Sequence, residues 1–185
     1  MTRFLYTAIA ALLCASMIQA KTHRPVTRME AEVHAGLTYP LGSYHGGKAQ
    51  PGGGIGFDIR YNFKNSPWDI GVFVQIDCAE WEFNHRNPNN RSINCGLSGA
   101  YNFRQGHKIN PFAGIGVGVA NVQEVGTWSF YPPSSTVSAF IPKIGVEFLY
   151  FLRLNAYCQI SRKGYNTFGL SLGLTIGGWP KKNKG

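Results

Sequence analysis

The feature that most limits what this chain can fold into is a two-residue alternation of side chains, repeated in segments of about ten residues. In 53–63 (GGIGFDIRYNF) the apolar positions are Ile55, Phe57, Ile59, Tyr61 and Phe63, while Gly56, Asp58, Arg60 and Asn62 lie between them. In 68–78 the apolar set is Trp68, Ile70, Val72, Val74, Ile76 and Cys78, and in 168–176 it is Phe168, Leu170, Leu172, Leu174 and Ile176. The segment 93–103 alternates in the same way, and 28–39, 111–120, 139–148 and 152–161 do so more weakly. Successive side chains of a strand point to opposite faces, so this period predicts strands with one apolar face. Eight segments predict eight strands, each close to the roughly 9–11 residues of a tilted strand that crosses a bilayer.

Residues 1–20 (MTRFLYTAIAALLCASMIQA) have a basic start at Arg3, an apolar run from Phe4 to Leu13 and small residues ending at Ala20. This is the pattern of a secretory signal peptide cleaved after Ala20, and its apolar run is shorter than the ~20 residues a membrane-spanning helix needs. Lipidation at Cys14 is disfavoured by Leu13 before it. Beyond Ala20 no apolar run reaches the length of such a helix. The remaining 21–185 segment is read as one barrel domain, with strands over about 28–179 and a short basic tail.

The connections predict an asymmetric barrel. Long polar stretches, 40–52, 79–92 and 121–138, follow the first, third and fifth strands, whereas 64–67, 104–110 and 149–151 are short. Aromatic residues collect at strand ends: Tyr61, Phe63, Trp68, Tyr101, Phe103, Phe148 and Tyr150 near the short links, and Tyr39, Trp81, Phe140 and Phe168 near the long ones. Two such belts suit the two interfaces of a bilayer. A soluble β-sandwich or lipocalin-like barrel also alternates, but its polar face would have to meet water. Here that face is largely Gly, Ser, Ala and Asn, which suits a narrow interior.

With a signal peptide in front and strands such as PFAGIGVGVA and FGLSLGLTIGG, the chain resembles the small eight-stranded outer-membrane β-barrels of Gram-negative bacteria, OmpA-like and OmpX-like members of the porin superfamily. The resemblance covers 28–179 and implies an all-β, antiparallel, up-and-down transmembrane barrel in the outer membrane, with both termini periplasmic and the long loops extracellular. It also implies outer-membrane lipid, lipopolysaccharide and the insertion machinery as partners. Barrels of this kind often finish on an aromatic residue that the machinery recognises, whereas this chain continues past Trp179 as PKKNKG.

An eight-stranded barrel has an interior wide enough only for side chains or one small ligand. Glu30, Glu32, His34, Asp58, Arg60, Asp69, Asp77, Lys143, Glu147 and Arg153 fall on the polar faces. Folding each hairpin about its loop sets Glu32 beside Arg60, His34 beside Asp58 and Glu147 beside Arg153. Buried charges are tolerated when paired, so the set is read as a salt-bridged plug, with a proton or ion path as the competing reading. Cys78 and Cys95 flank the 79–92 connection and share an apolar face, so a disulfide between them is a hypothesis, and Cys158 reads as an inert apolar residue.

No catalytic constellation is found. An HxS motif like that of the lipid A deacylase kind of outer-membrane enzyme does not occur, and His45 and His85 have no matching Ser and acid arrangement. PGGGIGFD lacks the GK[ST] and the helix of a phosphate-binding loop. No cofactor and no metal site is expected. In the longest loop, Trp128, Phe130 and Tyr131 stand beside Pro132 and Pro133, as part of the outer aromatic belt or as a contact surface for an extracellular protein. The formal charge of +9 does not mark a nucleic-acid binder: Arg3 leaves with the signal, and Lys21, Arg24, Arg28, Lys181, Lys182 and Lys184 lie at the chain ends, so the body carries +2. The sequence therefore predicts a non-enzymatic structural or surface-interaction barrel, with narrow, porin-like transport as the alternative and lipid A modification as a third reading.

Overall fold

The computed structural model describes residues 26–41, 48–64, 66–82, 89–125, 134–161 and 165–180. Trp128, Phe130 and Tyr131 lie outside the described residues, as do His45 and His85 and the whole signal segment. The described chain forms nine strand segments and no helix: β1 (Met29–Pro40), β2 (Lys48–Gln50), β3 (Gly52–Asn62), β4 (Trp68–Glu82), β5 (Asn89–Asn102), β6 (Ile109–Val125), β7 (Ser134–Phe148), β8 (Leu152–Gln159) and β9 (Thr167–Gly177). β2 and β3 are two parts of one barrel wall. Gln50 pairs with Glu80 and Gly54 with Asp77, so four steps on this wall match three on β4. The extra residue is a bulge among Pro51, Gly52 and Gly53, where Pro51 has no N–H to give to a ladder.

All pairings are antiparallel between sequence neighbours, and β1 pairs with β9 to close the sheet into an eight-walled up-and-down barrel. Val26 bridges to Pro180 and the Thr27 N–H donates to the Trp179 carbonyl at 3.1 Å, so the two described ends meet at the end of the short turns. Closure leaves no sheet edge and satisfies the backbone internally, the condition for strands to exist in hydrocarbon.

Burial over most of the barrel is the reverse of that in a water-soluble protein. Leu97 is 63 % and Leu174 60 % exposed on the outside, while Arg60 and Arg153 are each 1 % exposed within. The outward apolar band spans 109–119 on β6 and 140–148 on β7, the length of a tilted membrane strand. At its short-turn edge Trp68 and Phe103 both pack edge-on against Tyr101, with ring centroids 5.1 and 5.0 Å away.

Beyond the band, toward the long connections, the outward face turns polar and the inward faces of β6 and β7 turn apolar. Arg91, Ser134, Thr136 and Ser138 are exposed on the outside, whereas Ala120, Val122 and Ala139 are buried inside with Val137 and Tyr165 against them. This inversion corrects the expected loop boundaries. Residues 79–82, 89–92, 121–125 and 134–138 are strand, not loop, because the ladders continue after the polarity has changed sides. The segments between strands are 7, 6, 8 and 7 residues at that end and 5, 6 and 3 at the other. The asymmetry read as loop length therefore resides mainly in strands that protrude past the apolar band.

Candidate functional site

The polar interior is built from the alternate residues of every wall. Near the short-turn end the Arg60 guanidinium holds two carboxylates, with Nη1 2.6 Å from Glu32 Oε2 and Nη2 3.0 Å from Glu30 Oε2. Asn62 Nδ2 donates to Glu30 Oε1 at 2.6 Å, and Asn155 Nδ2 donates to Glu32 Oε1 at 2.9 Å. Arg153 Nε lies 3.7 Å from Glu32 Oε2, and its guanidinium carbon sits 3.6 Å from the centre of the Phe112 ring. Asp69 accepts from Asn102 at 2.7 Å, Asn102 accepts from Asn110 at 3.1 Å, and Gln105 reaches in from the 103–108 turn to donate to Asn62 at 3.1 Å. The turn is thereby tied into the mouth of the barrel.

Two links run straight across the lumen. Lys143 on β7 is 3.2 Å from Asp58 on β3, which is also 3.3 Å from His34 Nε2. Tyr157 on β8 donates to Asp77 on β4 at 2.7 Å. In each pair the two strands are four walls apart in a barrel of eight, so the side chains span its diameter. Asp77 also accepts from Gln75 at 2.6 Å and Asn94 at 3.3 Å, and Gln159 on β8 accepts from Ser92 and Asn94 on β5 at 3.0 and 2.8 Å. The cavity left among His34, Asp58, Lys143, Asn155 and Tyr157 is about 20 Å³, room for about one water molecule.

Two glycine positions make this packing possible. A Cβ on Gly169 would meet the Tyr157 ring, and one on Gly52 would meet the Cys78 carbonyl, to which Thr38 Oγ1 donates across the bulge. Where large side chains cross a narrow lumen, the facing wall must supply bare backbone.

The residues singled out from sequence are distributed unevenly. Glu30, Glu32, His34, Asp58, Arg60, Asp69, Asp77, Glu147 and Arg153 are all buried, and Lys143 is half-buried. The β1–β3 register sets Glu30 opposite Arg60 and Glu32 opposite Asp58, two residues from the expected pairing; Glu32 reaches Arg60, and His34 reaches Asp58, on the diagonal. Glu147 and Arg153 are direct ladder partners, but Arg153 turns to Glu32 and the Glu147 carboxylate has no hydrogen bond or ion pair among the described residues. The Cys78–Cys95 bridge is corrected. Cys78 faces Arg91 and Cys95 faces Val74, four steps apart on the ladder, because β4 and β5 pair onward through the expected loop to Glu80 opposite Asn89, in a register that separates the two cysteines; both thiols are free, as is Cys158. Sequence reasoning did not single out the neutral donors Asn94, Asn102, Asn155 and Tyr157, although their places on the lumen faces were signal enough.

No protein-family model and no curated protein matches the chain. Solved structures do, at low sequence identity. Neisserial surface protein A has a TM-score of 0.57 at 14% identity, covering 82% of this chain and 97% of its own. Ail of Yersinia pestis, in complex with the heparin analogue sucrose octasulfate, has a TM-score of 0.51 at 13% identity, covering 80% of this chain and 99% of its own. The outer membrane enzyme PagL has a TM-score of 0.47 at 17% identity, covering 80% of this chain and 98% of its own. The closed antiparallel barrel and its inside-out burial are those of the small eight-stranded outer-membrane β-barrels, and that is the class of fold this chain has.

Proposed function

We propose that the protein is a non-enzymatic outer-membrane barrel with a structural or surface-interaction role, exported by the signal at 1–20, with both termini periplasmic. The observation that carries this reading is the pair of diametric bridges, Asp58–Lys143 and Asp77–Tyr157, around a cavity of about 20 Å³. They leave no width for a solute. Toward the protruding end, the inward apolar cluster of Ala120, Val122 and Ala139 lies beside Ser92, Asn94 and Gln159, whose hydrogen bonds to one another tie β5 to β8 across the lumen.

The outward apolar band supports placement in a bilayer, and exposed Lys48 and Arg91 near the protruding end suit the phosphates of lipopolysaccharide. The protruding strands are the surface offered to an extracellular partner, and Trp128, Phe130 and Tyr131, in the sequence between β6 and β7, are the candidate contact residues. Purified protein in a planar bilayer is expected to show no conductance steps; regular steps would overturn the plugged lumen. Lipid A from cells with and without the gene is expected to have the same mass profile, and a lost modification would establish an enzyme. In intact cells a membrane-impermeant maleimide should label Ser134→Cys and not Lys64→Cys, and the reverse would invert the topology.

A further inference from the structure

Pro142 stands inside β7, a strand with neighbours on both sides, where proline is ordinarily excluded because it has no N–H for the ladder. Its effect is confined to one seam. Between β7 and β8 the ladder runs from Phe148 opposite Leu152 to Lys143 opposite Tyr157 and stops. The next pair is the isolated bridge of Phe140 and Ile160, each N–H donating to the other's carbonyl at 2.8 Å. Ile141 and Pro142 on one side, and Cys158 and Gln159 on the other, fall in the gap. Toward β6, where Pro142 faces Ile115, pairing is continuous from Gln123 opposite Ser134 to Ile109 opposite Phe148.

Over this gap the outer surface holds a groove of about 300 Å³, lined by Ala113, Pro142, Ile144, Ala156, Cys158 and Phe168. Ala113 and Ala156 keep its floor low, and Phe168 and Ile144 stand beside them on the same apolar face. Lys143 and Tyr157, whose side chains bound the lumen cavity, line the groove from behind, so the wall there is one residue thick. Pro142 is two residues from Phe140, the last apolar outward residue before the protruding part of β7, or about 7 Å along the strand.

We propose that this groove is a docking site for one acyl chain of an outer-leaflet lipid. The inference rests on the membrane placement proposed above. Position selects the occupant: the groove opens within the outward apolar band, near the protruding end, and is continuous with the surface that faces hydrocarbon. Its lining presents apolar side chains to a guest, and a concave seat gives a flexible chain more dispersion contact than the flat faces beside it.

The test uses full-length mature protein in phosphatidylcholine vesicles carrying a trace of phospholipid with a diazirine on its acyl chain. After irradiation, adducts should be enriched severalfold on the peptides holding 142–144 and 156–158 over those holding the exposed Leu37 and Leu172. Ala113→Leu with Ala156→Leu, which fills the groove, should abolish that enrichment and keep adducts elsewhere. Pro142→Val, which restores the ladder donor, should reduce it without adding bulk to the floor. Adducts spread evenly around the band would overturn the docking site and leave the membrane placement standing. An absence of adducts at every outward position would overturn both.

Discussion

Arg153 lies directly opposite Glu147 in the β7–β8 ladder, yet its guanidinium passes Glu147 to reach Glu32 at 3.7 Å and stack on Phe112 at 3.6 Å. Glu32 is thus shared by two arginines from different walls, and Glu147 is left without an ion pair, its charged neighbours being the carboxylates of Glu30, Glu32 and Asp69 and the Arg60 guanidinium. Two opposite mutational outcomes follow from this one geometry.

Arg153→Ala removes a buried cation and uncovers the Phe112 ring. It should destabilise the barrel by roughly 2–4 kcal/mol, near the lower side of what breaking a buried pair costs, since Glu32 keeps Arg60 and Asn155. Arg153→Lys should recover only part of the loss, because an ammonium lacks the planar stack. The urea midpoint of unfolding in detergent micelles, read by heat-modifiable gel migration, measures both.

Glu147→Gln should raise the same midpoint by about 1 kcal/mol, because it removes a buried charge that has three carboxylates against one guanidinium near it and no ion pair to lose. A lower midpoint would show that Glu147 is paired in solution.

The diametric link of Asp58 and Lys143 should behave as one energetic unit. A double-mutant cycle with Asp58→Asn and Lys143→Met should return a coupling of about 1–3 kcal/mol, typical of groups in direct contact. A coupling near zero would mean that the two side chains do not meet across the lumen.

Gly169→Ala should cost roughly 1–3 kcal/mol, because the new methyl enters the space of the Tyr157 ring and forces the Asp77 bond to shift. Tyr157→Phe removes only the hydroxyl and should cost about 1 kcal/mol or more for the donor lost by Asp77. Equal unfolding midpoints for Gly169→Ala and the parent would show that the ring does not pack against β9.

The mature protein should migrate identically with and without reductant, and Cys78, Cys95 and Cys158 should each accept one alkylating group once unfolded. A reductant-dependent band would restore a disulfide that the β4–β5 register forbids.

Much of the architecture was legible because alternation is a local property. Leu170, Leu172 and Leu174 on one face of β9, and Gly169, Ser171 and Gly173 on the other, needed only the two-residue period to be sorted into outside and inside. The same period placed Arg60, Asp58 and Glu32 in the lumen before any register was known. It could not follow the strands past the apolar band: at Asn121 and Ser138 the outward face turns polar, and a pattern defined by polarity reads the change as a loop although the backbone pairs onward. Nor could it fix the β4–β5 register, which sets Cys78 opposite Arg91 and Cys95 opposite Val74.

The sequence by itself determined an all-β chain of eight walls with an apolar exterior and a charged interior, since strand period and side-chain chemistry are written residue by residue. Only the tertiary structure decided which charges meet. The curvature of a closed barrel brings β3 to β7 and β4 to β8 across a lumen, so that Asp58 finds Lys143 85 residues away and Asp77 finds Tyr157 80 residues away. No local pattern encodes such pairs, because they depend on the register of every seam between them.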